Sequence, residues 1–185
     1  MRSAILLAGA LLLASCGQRE PQTPAAAPET PFGTVAEVRE YLDQIGPYVQ
    51  EIGSLQASVE QALSSVQRQG DVRRGTGRNL SAAAEAVQPR MQQILDEFGQ
   101  ITPPPLLAPF HRDTKKLVLL RLEAYRLLSE GWQAEEAGGD FEATYNRAET
   151  KLREANEAIR GLNNQMAQIN GALEAVSPPA AEAAR

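Results

Sequence analysis

The sequence is poor in the residues that build covalent cross-links, metal clusters and catalytic constellations. It has one cysteine, Cys16, so no internal disulfide can form. One histidine, His111, leaves no zinc-protease spacing and no His-based metal cluster. No local pattern sets a serine beside an acid partner, and no carboxylate pair stands out as an acid–base dyad. An apolar run of the length that crosses a bilayer, about twenty residues, is also missing: the stretch from Ala4 to Ala14 is far shorter and meets Gly17, Gln18, Arg19 and Glu20 at once. The net charge of -5 disfavours nucleic acid as a partner, and it disfavours direct attachment of the bundle to anionic lipid. Gly75 and Gly77 follow no strand and precede no Walker lysine, so they are not a phosphate loop.

What is present begins at the N-terminus. Arg2, the small and apolar stretch Ala4–Ala14, and the run Leu13-Ala14-Ser15-Cys16 resemble the signal peptide and lipobox of bacterial lipoproteins. That resemblance implies cleavage before Cys16, a diacylglycerol on its thiol and an acylated amine, with palmitate-type chains holding the protein on a membrane. An ordinary secretory signal is the alternative, although it needs no cysteine after Ala14-Ser15. Gly17, rather than aspartate, follows the cysteine. By resemblance to the sorting rule of two-membrane bacteria, this implies the outer membrane there, and the outer face of the plasma membrane in a one-membrane cell.

Composition divides the rest. Residues 1–15 read as signal peptide. Residues 16–33 read as the lipidated cysteine and a disordered linker, because Pro21, Pro24, Pro28 and Pro31 are spaced too closely for helix or sheet. Such a tether spans up to roughly 50 Å in polyproline II geometry. Residues 34–176 form one domain, large enough to bury a core without disulfide or metal. Residues 177–185, opening with Pro178 and Pro179, read as a disordered tail.

Within the domain the apolar period is helical throughout, and four helices are predicted. Helix 1 carries Val35, Val38, Leu42, Ile45, Val49, Ile52, Val59, Leu63 and Val66, broken at Gln56. Helix 2 carries Leu80, Ala84, Val87, Met91, Ile94, Phe98 and Ile101. Helix 3, from about Leu106 to Ala137, has a broader face on Leu117, Leu120, Ala124, Leu127 and Leu128. Helix 4 runs from Phe141 through Tyr145, Ala148, Leu152, Ala155, Ile159, Leu162, Met166, Ile169 and Leu173 to Val176, at alternate spacings of four and three. Thr34 and Glu37 have capping-box spacing, and Asp140 after Gly138-Gly139 is an expected N-cap. The prolines 103–105 stop one helix and open the next. Pro47 and Pro89 fall inside continuous stripes and read as kinks, the alternative being that helix 1 is two shorter helices. The loops are short, so the expected fold is all-α, an antiparallel up-down-up-down four-helix bundle with heptad-patterned helices. Intermolecular coiled coils use the same stripes, but the breadth of helix 3 favours a closed monomer.

Such a bundle gathers the tether, the proline loop and the C-terminus at the membrane-proximal end. Its distal tip brings Arg68, Arg73, Arg74 and Arg78 beside Glu130, Glu135, Glu136, Asp140 and Glu142. These charges either solvate the tip or offer Arg73, Arg74 and Arg78 to a protein partner. His111 and Met166 lie equally far from the Gly138-Gly139 turn and so share a level of helices 3 and 4. In that respect they resemble the axial ligands of the soluble b-type cytochromes of the four-helix-bundle kind, which implies haem, or another ligand, in a pocket near Pro47, Pro89, His111 and Met166. The simpler reading makes Met166 core filler and His111 a surface or helix-end residue, with no cofactor. The segment Ile101–Leu128 also resembles ones met in extracytoplasmic bacterial helical bundles, a resemblance that names no activity. The sequence therefore predicts a non-enzymatic, lipid-anchored envelope bundle acting by contact with an envelope protein, with a ligand- or haem-binding bundle as the alternative.

Overall fold

The computed structural model describes residues 27–68 and 76–176. Cys16, the lipobox, Arg73, Arg74 and the 177–185 tail lie outside the described residues. Four helices pack against one another: α1 (Val35–Arg68), α2 (Thr76–Phe98), α3 (Ala108–Glu136) and α4 (Glu142–Val176). A short antiparallel hairpin, β1 (Glu29–Thr30) and β2 (Gly33–Thr34), precedes them.

The hairpin departs from the expectation that residues 16–33 are a linker without helix or sheet, since Glu29 pairs with Thr34 and Thr30 with Gly33. Pro31 takes a turn position that its fixed φ favours. Thr30 Oγ1 donates to the Gly33 carbonyl at 2.9 Å and accepts the Phe32 amide at 3.1 Å. Gly33 sits at φ 122°, a region that glycine enters without steric cost. The Pro28 carbonyl accepts the Val35 amide, so the hairpin leads directly into α1. β1 packs on α4 and Phe32 on the core.

Local chemistry explains where the helices begin and end. The Thr34–Glu37 capping box forms: the Thr34 amide donates to Glu37 Oε2 at 3.0 Å, and the Glu37 amide to Thr34 Oγ1 at 3.3 Å. The Thr34 hydroxyl and amide hold the Glu37 carboxyl below its usual pKa. A 3-10 turn over Pro105–Leu107 leads from the proline cluster into α3. α3 closes with paired bonds, Gly138 amide to Glu135 carbonyl and Gly139 amide to Ala134 carbonyl, and Gly138 takes the left-handed φ of 70°. The N-cap of α4 falls on Phe141 rather than Asp140, since the Phe141 carbonyl accepts the Tyr145 amide that opens the helix. Pro47 and Pro89 lie inside α1 and α2, and neither ends its helix.

Side chains from all four helices meet in two clusters. The first is centred on Leu80, Ala84, Met91 and Ile94 of α2 with Val118, Tyr125, Leu127 and Leu128 of α3. The second joins Val38, Tyr41 and Ile45 of α1 to Phe98, Phe110, Leu117, Leu162 and Ile169. Each large aliphatic or Phe side chain so buried contributes about 1.5–3 kcal/mol of transfer free energy, which drives the association of the helices. α1 rests on α2, α2 on α3 and α3 on α4, whereas the backbones of α1 and α4 stay further apart and their side chains meet in the second cluster. The side between α1 and α4 is therefore partly open.

Candidate functional site

His111 is buried in the first turn of α3, contrary to the expectation that it lies at the surface. Its Nδ1 lies 3.1 Å from the hydroxyl of Tyr41, in a hydrogen bond whose donor is set by the imidazole tautomer. Its ring stacks on Phe98 with centroids 4.3 Å apart. Burial, and secondarily the positive charge of Lys115, hold the imidazole pKa below its ordinary value, so the neutral ring is favoured. Burial likewise pushes the Tyr41 hydroxyl up. This trio ties α1 to the end of α2 and the start of α3.

Met166 faces elsewhere. It lines an apolar groove of about 340 Å³ on the open side between α1 and α4. Val49, Ile52, Gly53 and Gln56 of α1 form one wall, Ile159, Leu162, Asn163 and Met166 of α4 the other, and Phe110, Thr114 and Leu117 of α3 the floor. His111 is not among the lining residues, and neither are Pro47 and Pro89. The pairing of His111 with Met166 is thereby corrected: equal height on two helices does not make two side chains converge, because the turn of α3 that aims Phe110 and Thr114 at the groove aims His111 at Tyr41 and Phe98. The Thr114 hydroxyl donates to the Phe110 carbonyl at 2.9 Å, leaving the floor without a free donor there.

A second cavity, about 240 Å³, lies among all four helices. Val59, Leu63, Leu80, Leu128 and Leu152 give it apolar walls, and Glu60, Ser64, Arg121, Tyr125 and Asn156 add polar groups. Arg121 is only 2 % exposed. Its Nη2 donates to Asn156 Oδ1 at 2.6 Å and lies 3.6 Å from Glu60 Oε1. Its Nε and the Tyr125 hydroxyl are both buried and have no protein partner. Burial pushes the Tyr125 pKa up to about 12, so the hydroxyl keeps its proton at neutral pH. Sequence reasoning missed this site, although the signal was present. Arg121 stands four residues after Leu117 and three before Ala124, on the buried stripe of α3, where a lone charge demands a partner.

The distal tip is only partly described. Arg78 is exposed on α2, and no ion pair among the described residues includes it. Glu130 pairs with Arg126 on its own helix instead. Glu135 accepts the Tyr145 hydroxyl at 3.0 Å. Nearby, Gly77 and Gly131 admit close approach, since a Cβ on either would come within 2.8 Å of Tyr145. Among the described residues, no three His, Cys, Asp or Glu side chains gather as a metal site, and no helix is long and apolar enough to cross a membrane. In comparisons with known proteins, no family model, curated protein or solved structure matches the chain.

Proposed function

We propose that the chain is a lipid-anchored, non-enzymatic protein of the bacterial cell envelope that binds another envelope protein along the open side between α1 and α4. The observation that carries this reading is the apolar groove over Phe110, Leu117 and Leu162, whose rim residues Gln56 and Asn163 are uncharged and whose edge residue Val49 is 40 % exposed. The apolar face of a partner helix suits such a groove, with affinity coming from buried side chains rather than from ion pairs. The Cys16 lipobox and the proline-rich segment after it supply anchor and reach. The outer membrane is the destination in a two-membrane cell. The arginine tip is a lesser candidate, because Arg78 stands apart from its acidic neighbours' bonds.

The architecture we propose is the up-down-up-down antiparallel bundle, monomeric, with a heptad seam on α4. Its support is a series of cross-helix pairs in which residue numbers rise on α3 as they fall on α4: Asp113 with Gln165, Arg121 with Asn156, Glu123 with Lys151, and Glu135 with Tyr145. Ala148, Ala155, Leu162 and Ile169, seven residues apart, are the buried positions of α4.

Site-specific photo-crosslinking in cells tests the reading. A crosslinker at Val49 or Met166 is expected to capture one envelope protein that a crosslinker at Leu119, 52 % exposed on α3, does not. Equal capture from all three positions overturns it. The groove also admits an apolar small molecule as a second reading. Haem held by His111 and Met166 has no support from the directions in which they face, and an absorbance scan of the purified protein for a Soret band checks the point.

A further inference from the structure

We propose that the cavity around Arg121 binds a small organic carboxylate with an apolar tail. This inference is independent of the groove between α1 and α4, since it concerns a different cavity and different residues.

A guanidinium taken out of water is stable only when its charge is compensated and its N–H groups are paired. Protein atoms meet these conditions for Arg121 only in part, through Asn156 and Glu60 at Nη2. The Glu60 carboxylate is 3.6 Å from Nη2, and its side chain is half-exposed on the rim, where solvent weakens the attraction. Glu60 also accepts the Gln56 side-chain amide at 2.6 Å, which holds it toward α1. Nη2 is otherwise committed to Asn156, while Nε points no hydrogen at any protein acceptor. The Tyr125 hydroxyl, one helical turn further along α3, is likewise unpaired and buried. Both residues line one cavity, and each carries a buried donor without a protein acceptor.

A carboxylate satisfies them together, one oxygen on Arg121 Nε and the other on the Tyr125 hydroxyl, and charge assistance makes these bonds stronger than those of a neutral carbonyl. Leu80, Leu128 and Leu152 line the same space and argue against a bare inorganic anion, whose whole surface needs polar partners. A cavity of about 150 Å³ accepts a benzene-sized molecule. The 240 Å³ here therefore has room for an acid of the size of hexanoate.

Calorimetric titration of the full lipidated chain in a non-ionic detergent, with sodium hexanoate and with hexanamide as probes, tests the proposal. Hexanoate is expected to bind saturably at about 1 mM or tighter, and hexanamide at least about tenfold more weakly. Arg121→Met, which fills similar volume, abolishes hexanoate binding in the same detergent, and Tyr125→Phe weakens it about tenfold. Glu60→Gln removes the competing carboxylate and tightens hexanoate binding several-fold. Circular dichroism shows whether each variant keeps its helices. The proposal is overturned if hexanoate fails to saturate by about 10 mM, if hexanamide binds as well, or if folded Arg121→Met retains binding. Weaker binding by Glu60→Gln also overturns it, because that result marks a ligand attracted to the glutamate.

Discussion

Tyr41 and His111 join the first and third helices through a 3.1 Å contact between the tyrosine hydroxyl and Nδ1, buried against the ring of Phe98. The pair makes folding sensitive to acid. His111 has a lower pKa in the folded chain than its ordinary value of about 6.5. The unfolded state then binds the proton more readily. The stability due to the neutral ring is complete above about pH 6.5 and is lost as pH falls through and below that value. Lys115 acts in the same direction by repelling the imidazolium. Urea unfolding at about pH 7.5 and pH 5 is expected to show a larger acid loss for the natural chain than for His111→Phe. Equal losses would place the acid sensitivity elsewhere. Tyr41→Phe should cost about 1 kcal/mol at the higher pH through the lost hydrogen bond.

Different packing around Gly131 and Gly161 makes the two helical glycines respond in opposite directions. A Cβ at Gly131 would lie 2.7 Å from the Tyr145 ring, and that ring is confined by Phe141 and by the bond to Glu135. Gly131→Ala is expected to destabilise by about 1–3 kcal/mol despite alanine's better helix propensity. Gly161, in the middle of α4, has nothing within 4 Å of the same added atom. Gly161→Ala should stabilise by about 0.5–1 kcal/mol. Thermal unfolding of the two variants reads both signs.

The core and the open groove are separable by truncation. Met91 is fully buried at the centre of the first cluster, so Met91→Ala should cost about 2–5 kcal/mol. Val49 faces the groove at 40 % exposure, and Val49→Ala should change stability by less than about 0.5 kcal/mol. A large loss at Val49 in denaturant unfolding would mean that the groove is closed in solution.

How far the sequence could be read differs from helix to helix, for reasons of packing. On α2 the predicted stripe of Leu80, Ala84, Val87, Met91, Ile94 and Phe98 is buried throughout, because that helix lies between α1 and α3 and its stripe has neighbours on both flanks. On α1 the positions Val38, Ile45, Ile52 and Val59 are buried, yet Tyr41 takes the place expected of Leu42, and Val49 is exposed. The open side toward α4 leaves one edge of that stripe uncovered, and apolar periodicity alone does not say which edge. The hairpin at residues 29–34 was hidden by its prolines, which argue against a ladder but suit the ends and turn of a two-residue pairing. Arg121 was passed over because hydrophobic counting skips charges, whereas its spacing from Leu117 and Ala124 placed it on the buried face. The direction in which His111 faces is not legible in the sequence. Direction depends on the packing angle of α3 against its neighbours, which no spacing rule supplies.

The N-terminal cysteine makes the remaining prediction, and it lies outside the described residues. Two or three acyl chains at about 0.8 kcal/mol per buried methylene give an attachment that salt does not reverse, whereas a single chain gives only marginal binding. The bundle is expected to add little to that attachment, since a net charge of -5 disfavours anionic lipid; no described helix is long and apolar enough to cross a membrane. Attachment should therefore depend on one atom, the sulfur of Cys16. Cys16→Ser is expected to abolish incorporation of labelled fatty acid and to leave the chain either uncut or released from the membrane fraction. Membrane fractionation that is unchanged in this variant, at high salt, with the signal peptide cut and no label incorporated, would mean that the chain is held by a protein rather than by lipid.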